Sequence, residues 1–260
     1  MLPAGVAATA IYVLFIGLPL VALLVRSIGG GDFLAGISTS IVLQALKLSA
    51  ITSIISLFVT VLVGTPFAYL LARRQSKTLR ILDSLVELPI VLPPVVAGVA
   101  MLMAFGRTGL LGGTLGSAGI SIPFTTVAVV FAQVFVAAPF YIRAAKISFQ
   151  NVEIDLEEVS QTLGTSPWRT FWRVTLPLAL PGMLGGMALS WARAISEFGA
   201  TIMFAGNFTG RTQTIPLAIL SAMESNFSAA LAMSTLVVVI SALILVVVGF
   251  ASRSMRRRQA

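Results

Sequence analysis

Six apolar runs follow one another along the chain, and each is long enough to cross a lipid bilayer as a helix. A helix needs about 20 residues to cross the hydrocarbon core, which is about 30 Å thick. The second run is longer than a span requires, so we expect it to tilt or to project into the cytosol. The pattern predicts an all-α, polytopic membrane protein that forms a single transmembrane domain over residues 1–260. The six runs lie near residues 6–26, 41–71, 86–105, 124–148, 182–205 and 229–251.

The first run has the position of a secretory signal peptide but not its composition. No basic residue precedes it, and its apolar stretch is longer than the roughly 7–15 residues that signal peptides use. We therefore expect this run to be a retained transmembrane span.

The overall composition agrees with a membrane protein. Hydrophobic residues make up 57% of the chain and charged residues 10%, with a mean hydropathy of +1.00, whereas soluble domains carry about 25% charged residues. The net charge of +8 would favour nucleic-acid binding in a soluble protein. Here the basic residues cluster at the ends of apolar runs, so we expect membrane lipid and not nucleic acid as a partner.

Cysteine and histidine are both absent from the sequence. Their absence excludes disulfides, thiolate sites and most zinc chemistry. The apolar runs also contain no cluster of carboxylates that would suit catalysis. These absences argue against a membrane enzyme, and we expect no metal site and no cofactor bound by this chain.

Lysine and arginine residues are unevenly distributed among the connections, and this asymmetry predicts the orientation of the chain. Six spans with both termini in the cytosol, in the cytoplasmic (inner) membrane, place the larger set inside. That set comprises Arg73, Arg74, Lys77, Arg80, Arg143, Lys146, Arg169, Arg173, Arg253, Arg256, Arg257 and Arg258. The smaller set comprises Arg26, Lys47, Arg107 and Arg211.

The longest polar segment, at about residues 150–181, separates the fourth and fifth runs. The sequence VEIDLEEVSQTL predicts an amphipathic helix with Ile154, Val159 and Leu163 as its apolar positions. Gly164 follows at the place where a helix end favours a left-handed residue. The segment therefore begins with a helix and a tight turn on the cytosolic side.

A second short helix is predicted directly after this turn. Ser166 suits the N-cap position and Pro167 the first helical position. We expect the helix to end near residue 174, before Leu176-Pro177. Three interpretations of the resulting helix-turn-helix are open: a DNA-binding motif, an interfacial hairpin packed on lipid headgroups, and a docking element for a cytosolic partner. Attachment to membrane spans at both ends disfavours the DNA-binding motif.

A longer motif runs through the same segment. Glu158-Val159-Ser160 is followed after three residues by Gly164, and after nine more by Val174-Thr175-Leu176-Pro177. This resembles the pattern E-A-A, three residues, G, nine residues, I-x-L-P of binding-protein-dependent ABC importer permeases. Val159 and Ser160 replace the two alanines, and Val174 replaces the isoleucine. The resemblance extends over spans two to six and implies the type I ABC importer permease fold.

In that family the loop forms coupling helices that seat in a groove of the ATPase subunit. The resemblance therefore implies a homodimer with two ATPase subunits and an extracytoplasmic oxyanion-binding protein. No lysine of this chain lies in a G-x-x-x-x-G-K-[ST] phosphate loop, so ATP and Mg²⁺ are expected on the separate ATPase. The residues that the resemblance assigns to coupling are Glu158, Val159, Ser160, Gly164, Thr165, Ser166, Pro167, Leu176 and Pro177.

Span five contains two charges that are expected at membrane depth. Arg193 and Glu197 are four residues apart, on one face of a helix. Each such charge costs about 2.5–3.5 kcal/mol on insertion scales, so charges there pair or face a pathway. A purely structural ion pair and a functional pair are both open at this point.

Two stretches of spans three and five also resemble the oxyanion branch of the family. They read ELPIVLPPVVAGVAMLMAFGRTGLLG and SWARAISEFGATIMFAGNFTGRTQTIPLAI. The resemblance implies that molybdate or tungstate is the substrate, with sulfate or thiosulfate as the alternative. An ion-coupled secondary carrier that uses Arg193 and Glu197 for proton coupling is a further alternative. The residues that the resemblance places along the pathway are Pro93, Pro94, Arg193, Ser196 and Glu197.

Overall fold

A computed structural model describes the backbone of residues 2–29 and 40–259 and the side chains of residues 5–27, 29 and 40–243. All regular structure in this part of the chain is helical, which confirms the predicted all-α class. The helices are α1 (Leu2–Gly29), α2 (Ser40–Arg73), α3 (Lys77–Val91), α4 (Pro94–Phe105), α5 (Gly112–Ser117), α6 (Thr126–Gln150), α7 (Ile154–Thr162), α8 (Pro167–Ile195), α9 (Gly199–Ala205), α10 (Ile215–Ser225) and α11 (Phe227–Gln259).

Four helices of the described chain are long and apolar enough to cross a membrane: α1, α2, α6 and α8. The first three closely match predicted spans one, two and four. Helix α2 has 34 residues, as expected for an overlong span. For the sixth predicted span, the described side chains reach only from Phe227 to Leu243. The rest of that span and the C-terminal arginines lie outside the described side chains, so the number of six spans stays a prediction.

The third predicted span, near residues 86–105, is not one continuous helix. Helix α3 ends at Val91, and α4 begins at Pro94 at an angle of 120° to α3. Leu92 between them has an extended backbone (φ −67°, ψ 134°). The reason is local, because a proline disfavours the helical conformation at the residue before it and donates no N–H.

Helix α3 lies against α6 through two ion pairs and through Leu79 and Val86, which are partly buried against the core cluster of α6. The Lys146 ammonium contacts the Asp83 carboxylate at 2.5 Å, and the Arg143 guanidinium lies 3.9 Å from Glu87. No residue of α3 is buried. Two ion pairs one helical turn apart, together with the contacts of Leu79 and Val86, therefore hold α3 against α6.

The predicted end of the second loop helix at Leu176-Pro177 is wrong. Helix α8 runs without interruption from Pro167 to Ile195, and residues Phe171–Thr175 form a π turn inside it. The Leu176 N–H donates to the carbonyl of Phe171, five residues earlier. A proline ring normally clashes with the carbonyl four residues earlier, and the wider π turn relieves this crowding. The loop helix and the fifth span are consequently one rigid rod.

The fifth predicted span, near residues 182–205, also breaks before its predicted end. Helix α8 stops at Ile195, and α9 begins at Gly199.

Helices α2, α6 and α8 pack closely through small residues. In α8, Gly186 lies so close to α6 that an added Cβ would be 2.5 Å from the Cβ of Ala144. This close approach brings α8 against α6, and α2 packs on α6 through small polar residues such as Ser56, whose hydroxyl donates to Gln133 Oε1 at 2.9 Å.

Members of the two sets of basic residues lie at opposite ends of α6. Lys146, near its end, shares one cavity with Arg74, Lys77 and Arg80. At the start of α6, the Thr126 hydroxyl donates to the carbonyl of Arg211 at 2.8 Å. This separation agrees with the predicted charge asymmetry, while the membrane side of each end stays a prediction.

Candidate functional site

The turn between α7 and α8 has the predicted left-handed glycine. Gly164 has φ +82°, and its N–H donates to the carbonyl of Gln161 at 2.9 Å. The next N–H, of Thr165, donates to the carbonyl of Ser160 at 3.2 Å. A Cβ at Gly164 would meet no atom within 4 Å. The backbone conformation and not lack of space therefore requires glycine at this position.

The start of α8 follows the prediction in backbone but not in side-chain bonding. Ser166 has an extended backbone and Pro167 is the first helical residue, but the Ser166 hydroxyl makes no capping bond. The two loop helices are linked instead by the hydroxyls of Ser160 and Thr170, which lie 3.0 Å apart. Among the other residues assigned to coupling, Glu158 and Pro177 are exposed, and Leu176 is half-buried.

Glu157 is the buried acid of this loop, with 8% exposure. Its Oε1 accepts hydrogen bonds from Arg73 Nη2 at 2.5 Å, Arg73 Nε at 3.1 Å and the Thr175 hydroxyl at 2.9 Å. Arg73 Nη2 also donates to the carbonyl of Val152 at 3.1 Å, and the Tyr69 hydroxyl lies 3.5 Å from Oε2. One carboxylate thus joins the end of α2, helix α7 and the π turn of α8. We call Arg73, Glu157 and Thr175 the carboxylate node.

Sequence reasoning did not find this node. It singled out the neighbouring Glu158 as a contact of the loop with the ATPase, and that side chain is exposed. The two glutamates are neighbours on one helix, and the partners of Glu157 are 84 and 18 positions away in sequence. A local pattern therefore does not distinguish them. The available hint was the arginine that ends the overlong second span.

Large apolar side chains of the loop point away from the rest of the chain. The apolar positions predicted for α7 are exposed: Ile154 by 57%, Val159 by 56% and Leu163 by 80%. Trp168 and Trp172, at the start of α8, are exposed by 71% and 51%. We call these five residues the exposed apolar set. A helix that packs on its own core normally buries its apolar side chains and exposes its charged ones, whereas this loop buries Glu157 and exposes the apolar set. An exposed group of large apolar side chains is typical of an interaction site.

The break after α8 contains the predicted ion pair. Arg193 Nη2 lies 2.7 Å from Glu197 Oε2, and the Glu197 side chain is fully buried while that of Arg193 is 26% exposed. Oε2 receives no aligned hydrogen bond, so this is a charge contact. Oε1 accepts from the N–H of Ala200 at 2.8 Å. Glu197 thus caps the first turn of α9, and Arg193 is the partly accessible member of the pair.

The break between α3 and α4 lies beside the break between α8 and α9. A Cβ at Gly199 would be 2.7 Å from the Cβ of Pro94, and a Cβ at Gly98 would be 2.6 Å from the Cβ of Met203. Helices α4 and α9 therefore pack almost backbone to backbone. The structure brings the predicted pathway residues of spans three and five into one region, where Pro93, Pro94 and Ser196 are exposed.

Comparison with known proteins identifies the family. A family model described as "Binding-protein-dependent transport system inner membrane component" matches residues 64–258. The molybdenum transport system permease protein ModB of Mycobacterium bovis is 45% identical over 237 residues, 91% of this chain and 89% of the relative. The sulfate transport system permease protein CysW of Synechococcus elongatus is 40% identical over 174 residues, 67% of this chain and 61% of the relative.

Among solved structures, a similar fold occurs in a bacterial alginate ABC transporter in complex with an alginate pentasaccharide-bound periplasmic protein. The match has a TM-score of 0.75 with 19% identity and covers 98% of this chain and 94% of the other. The predicted importer permease fold is confirmed, as is the prediction of a transport subunit and not an enzyme. The chain belongs to the family of inner membrane components of binding-protein-dependent transport systems.

Proposed function

We propose that this chain is the membrane-spanning subunit of an ATP-driven importer that moves molybdate or tungstate into the cell. The observation that carries the proposal is the 45% identity to a molybdenum transport permease across 91% of the chain. Identity over that length includes the coupling loop and both helix breaks. The anion is delivered from outside by a separate oxyanion-binding protein.

The exposed apolar set forms the docking element for an ATPase subunit, which binds ATP and Mg²⁺ in place of this chain. Leu163 and Trp168 flank the Gly164 turn and are exposed by 80% and 71%. Removing large apolar side chains of this kind from water favours association with a partner surface. Two copies of the chain in a homodimer dock two ATPase subunits.

The carboxylate node transmits the movement of the ATPase into the membrane. Glu157 connects α7 to α2 and to the π turn of α8 by hydrogen bonds of 2.5–3.1 Å. Helix α8 then continues as one rod to Ile195, next to the pair of helix breaks. A displacement of the loop is therefore carried to the region of Arg193 without a flexible connection.

The region of the two breaks forms the pathway of the anion at the interface of the dimer. The first amides of α4, those of Val95 and Val96, have no acceptor within the helix because they precede its first complete turn. Both side chains are about half exposed. Half-helix N-termini at membrane depth favour anionic substrates. Arg193 neutralises Glu197, whose bare carboxylate would repel an incoming dianion.

The membrane location follows from the family, and the orientation follows from charge. The chain resides in the inner membrane, with the basic end of the bundle and both termini in the cytosol. The coupling loop then faces the compartment that supplies ATP. This arrangement is supported by the cavity that Arg74, Lys77, Arg80 and Lys146 share at one end of the helical bundle.

Sulfate is the second candidate substrate, and it is favoured by the 40% identity to a sulfate permease over 67% of this chain. Sulfate and molybdate are both tetrahedral dianions, so the same charges serve either. The distinguishing experiment reconstitutes the permease with its ATPase and binding protein in proteoliposomes. ATP-dependent uptake of molybdate or tungstate is expected. Preferential uptake of sulfate would favour the second candidate, and uptake without ATPase would indicate an ion-coupled carrier.

A further inference from the structure

A polar cavity of about 480 Å³ opens where α2, α3 and α6 meet. Arg74, Lys77 and Arg80 in its wall are exposed and belong to none of the four ion pairs found among the described side chains. The one acid among the wall residues is Asp83, and the Lys146 ammonium already neutralises it at 2.5 Å. The wall therefore carries three positive charges that no wall residue balances.

The start of α3 adds to the positive potential of this cavity. Ser76 caps the helix, because its hydroxyl accepts from the N–H of Leu79 at 3.1 Å. The earlier amides, of Lys77 and Thr78, have no acceptor within the helix. They aim the positive end of a 15-residue helix at the same space as the basic side chains, and that combination favours a phosphate-type anion.

An apolar groove of about 380 Å³ adjoins the polar cavity, and Arg80 lines both. The groove is lined further by Ile81, Leu85 and Leu88, which are exposed by 62%, 51% and 50%. A free inorganic oxyanion would fill only the polar cavity. A molecule with an anionic head and a hydrocarbon chain is complementary to both parts in charge and in polarity.

We propose that the two cavities bind one anionic phospholipid of the cytosolic leaflet. Its phosphate lies among Arg74, Lys77 and Arg80, and one acyl chain follows Ile81 and Leu85 along α3. Basic pockets between membrane helices on the cytosolic side recognise such headgroups. Because α3 has no fully buried residue and is held to α6 by two ion pairs and the partly buried Leu79 and Val86, the lipid adds a further link between the cytosolic end of α3 and helices α2 and α6. The site is independent of the transported anion.

The test measures lipid binding by the purified complex of permease and ATPase, without any transport step. The complex is titrated with phosphatidylglycerol or phosphatidylcholine, and bound lipid is counted by native mass spectrometry. Combining Arg74→Gln, Lys77→Gln and Arg80→Gln should weaken phosphatidylglycerol binding about 100-fold, since each basic residue near the surface contributes about 1 kcal/mol and each 1.4 kcal/mol is a factor of ten. Phosphatidylcholine binding should not change.

A matched control combines Lys47→Gln, Arg107→Gln and Arg211→Gln, which remove the same charge from other exposed positions. Equal loss of phosphatidylglycerol in both triple variants would overturn the site, because it would reflect net charge alone. Displacement of the lipid by millimolar inorganic phosphate or molybdate would overturn the lipid assignment in favour of a soluble anion. If the first triple variant does not assemble, Lys77→Gln alone is compared with Lys47→Gln by the same titration, and equal affinities would refute the proposal.

The apolar groove has its own test in the same titration. Leu85→Asn should weaken phosphatidylglycerol binding and leave binding of the soluble headgroup glycerophosphate unchanged. If a second copy of the chain, and not a lipid, covered the apolar groove of α3, the result would be different. Single cysteines at Ile81 would then form crosslinks between protomers, and Leu85→Asn would impair dimerisation with no effect on lipid. That outcome would replace the lipid with a protein contact.

Discussion

At the scale of single residues, burial separates two neighbouring glutamates into different roles. Glu157 is 8% exposed and accepts three hydrogen bonds on one oxygen. Glu158 beside it is exposed. A buried charge that loses its partner is strongly destabilising, whereas an exposed charge contributes little. The difference predicts opposite phenotypes for the same chemical change.

Glu157→Gln should lower the free energy of unfolding of the permease by about 3–5 kcal/mol, because the Arg73 guanidinium is left buried without an anion. Glu158→Gln is the matched control and should keep the stability of the wild type while weakening binding of the ATPase. Thermal unfolding in detergent and co-purification of the ATPase measure the two effects. Equal stability of the two variants would show that the carboxylate node does not hold the loop.

The pair of Arg193 and Glu197 makes a second prediction at this scale. Arg193→Met alone leaves a fully buried carboxylate without its charge partner, whereas Arg193→Met combined with Glu197→Gln leaves no charge. The single variant should therefore be less stable and less active in uptake than the double variant. A double-mutant cycle on thermal stability and uptake measures the coupling. Additive losses would mean that the two residues act separately.

At the scale of elements, the coupling loop is joined directly to the fifth predicted span, because its second helix and that span form one continuous helix, α8. The turn before it depends on a positive φ at Gly164, and the π turn Phe171–Thr175 carries α8 from the loop into the span. Helices α4 and α9 add a second rigid contact, where Gly199 and Pro94 touch. Movement of the loop is therefore expected to reach the breaks as a displacement of whole helices.

Gly164→Val should keep the chain in the membrane but release the ATPase or uncouple ATP hydrolysis from transport. A β-branched residue at a positive φ costs of order 1–3 kcal/mol, and the turn would relax to avoid it. Gly164→Asn is the control, because asparagine tolerates this conformation and a Cβ meets no atom within 4 Å. Binding of the ATPase and the ratio of transport to hydrolysis are measured. Similar losses in both variants would argue against a conformational role.

At the scale of the whole molecule, charge and apolar surface are distributed along the bundle axis. The exposed apolar set and the polar cavity with Arg74, Lys77 and Arg80 lie at the end of the helical bundle where α2 and α6 finish. The start of α6 lies at the other end, against the loop of Arg211. This polarity of the molecule predicts which loops face each compartment.

Single cysteines test this orientation, because the native chain contains none. A cysteine at Thr209, which is exposed, should react with an impermeant thiol reagent added outside the cell. A cysteine at Gln161 in the coupling loop should react only after the cytosolic side is opened. Labelling of the Thr209 position solely from the cytosolic side would invert the topology and place the proposed lipid site in the other leaflet.

The local features of the chain were determined by its sequence. Spans one, two and four follow from the length of their apolar runs, since a run of about 20 apolar residues is stable only as a buried or membrane helix. The left-handed turn at Gly164 follows because few other residues adopt that conformation. The motif from Glu158 to Pro177 likewise resembles that of the importer permeases in residues and spacing, and the comparisons confirm the family.

Only the tertiary structure decided which residues meet. The burial of Glu157 depends on Arg73, which is 84 positions away, and the continuity of α8 through Pro177 depends on a π turn that spacing did not predict. The 120° bend between α3 and α4 places Pro94 against Gly199, far along the chain. Periodicity and propensity act over a few residues, whereas partners and burial are set by helices packing across the fold. The sequence therefore determined the family and its elements, and packing determined the node, the paired breaks and the basic cavity.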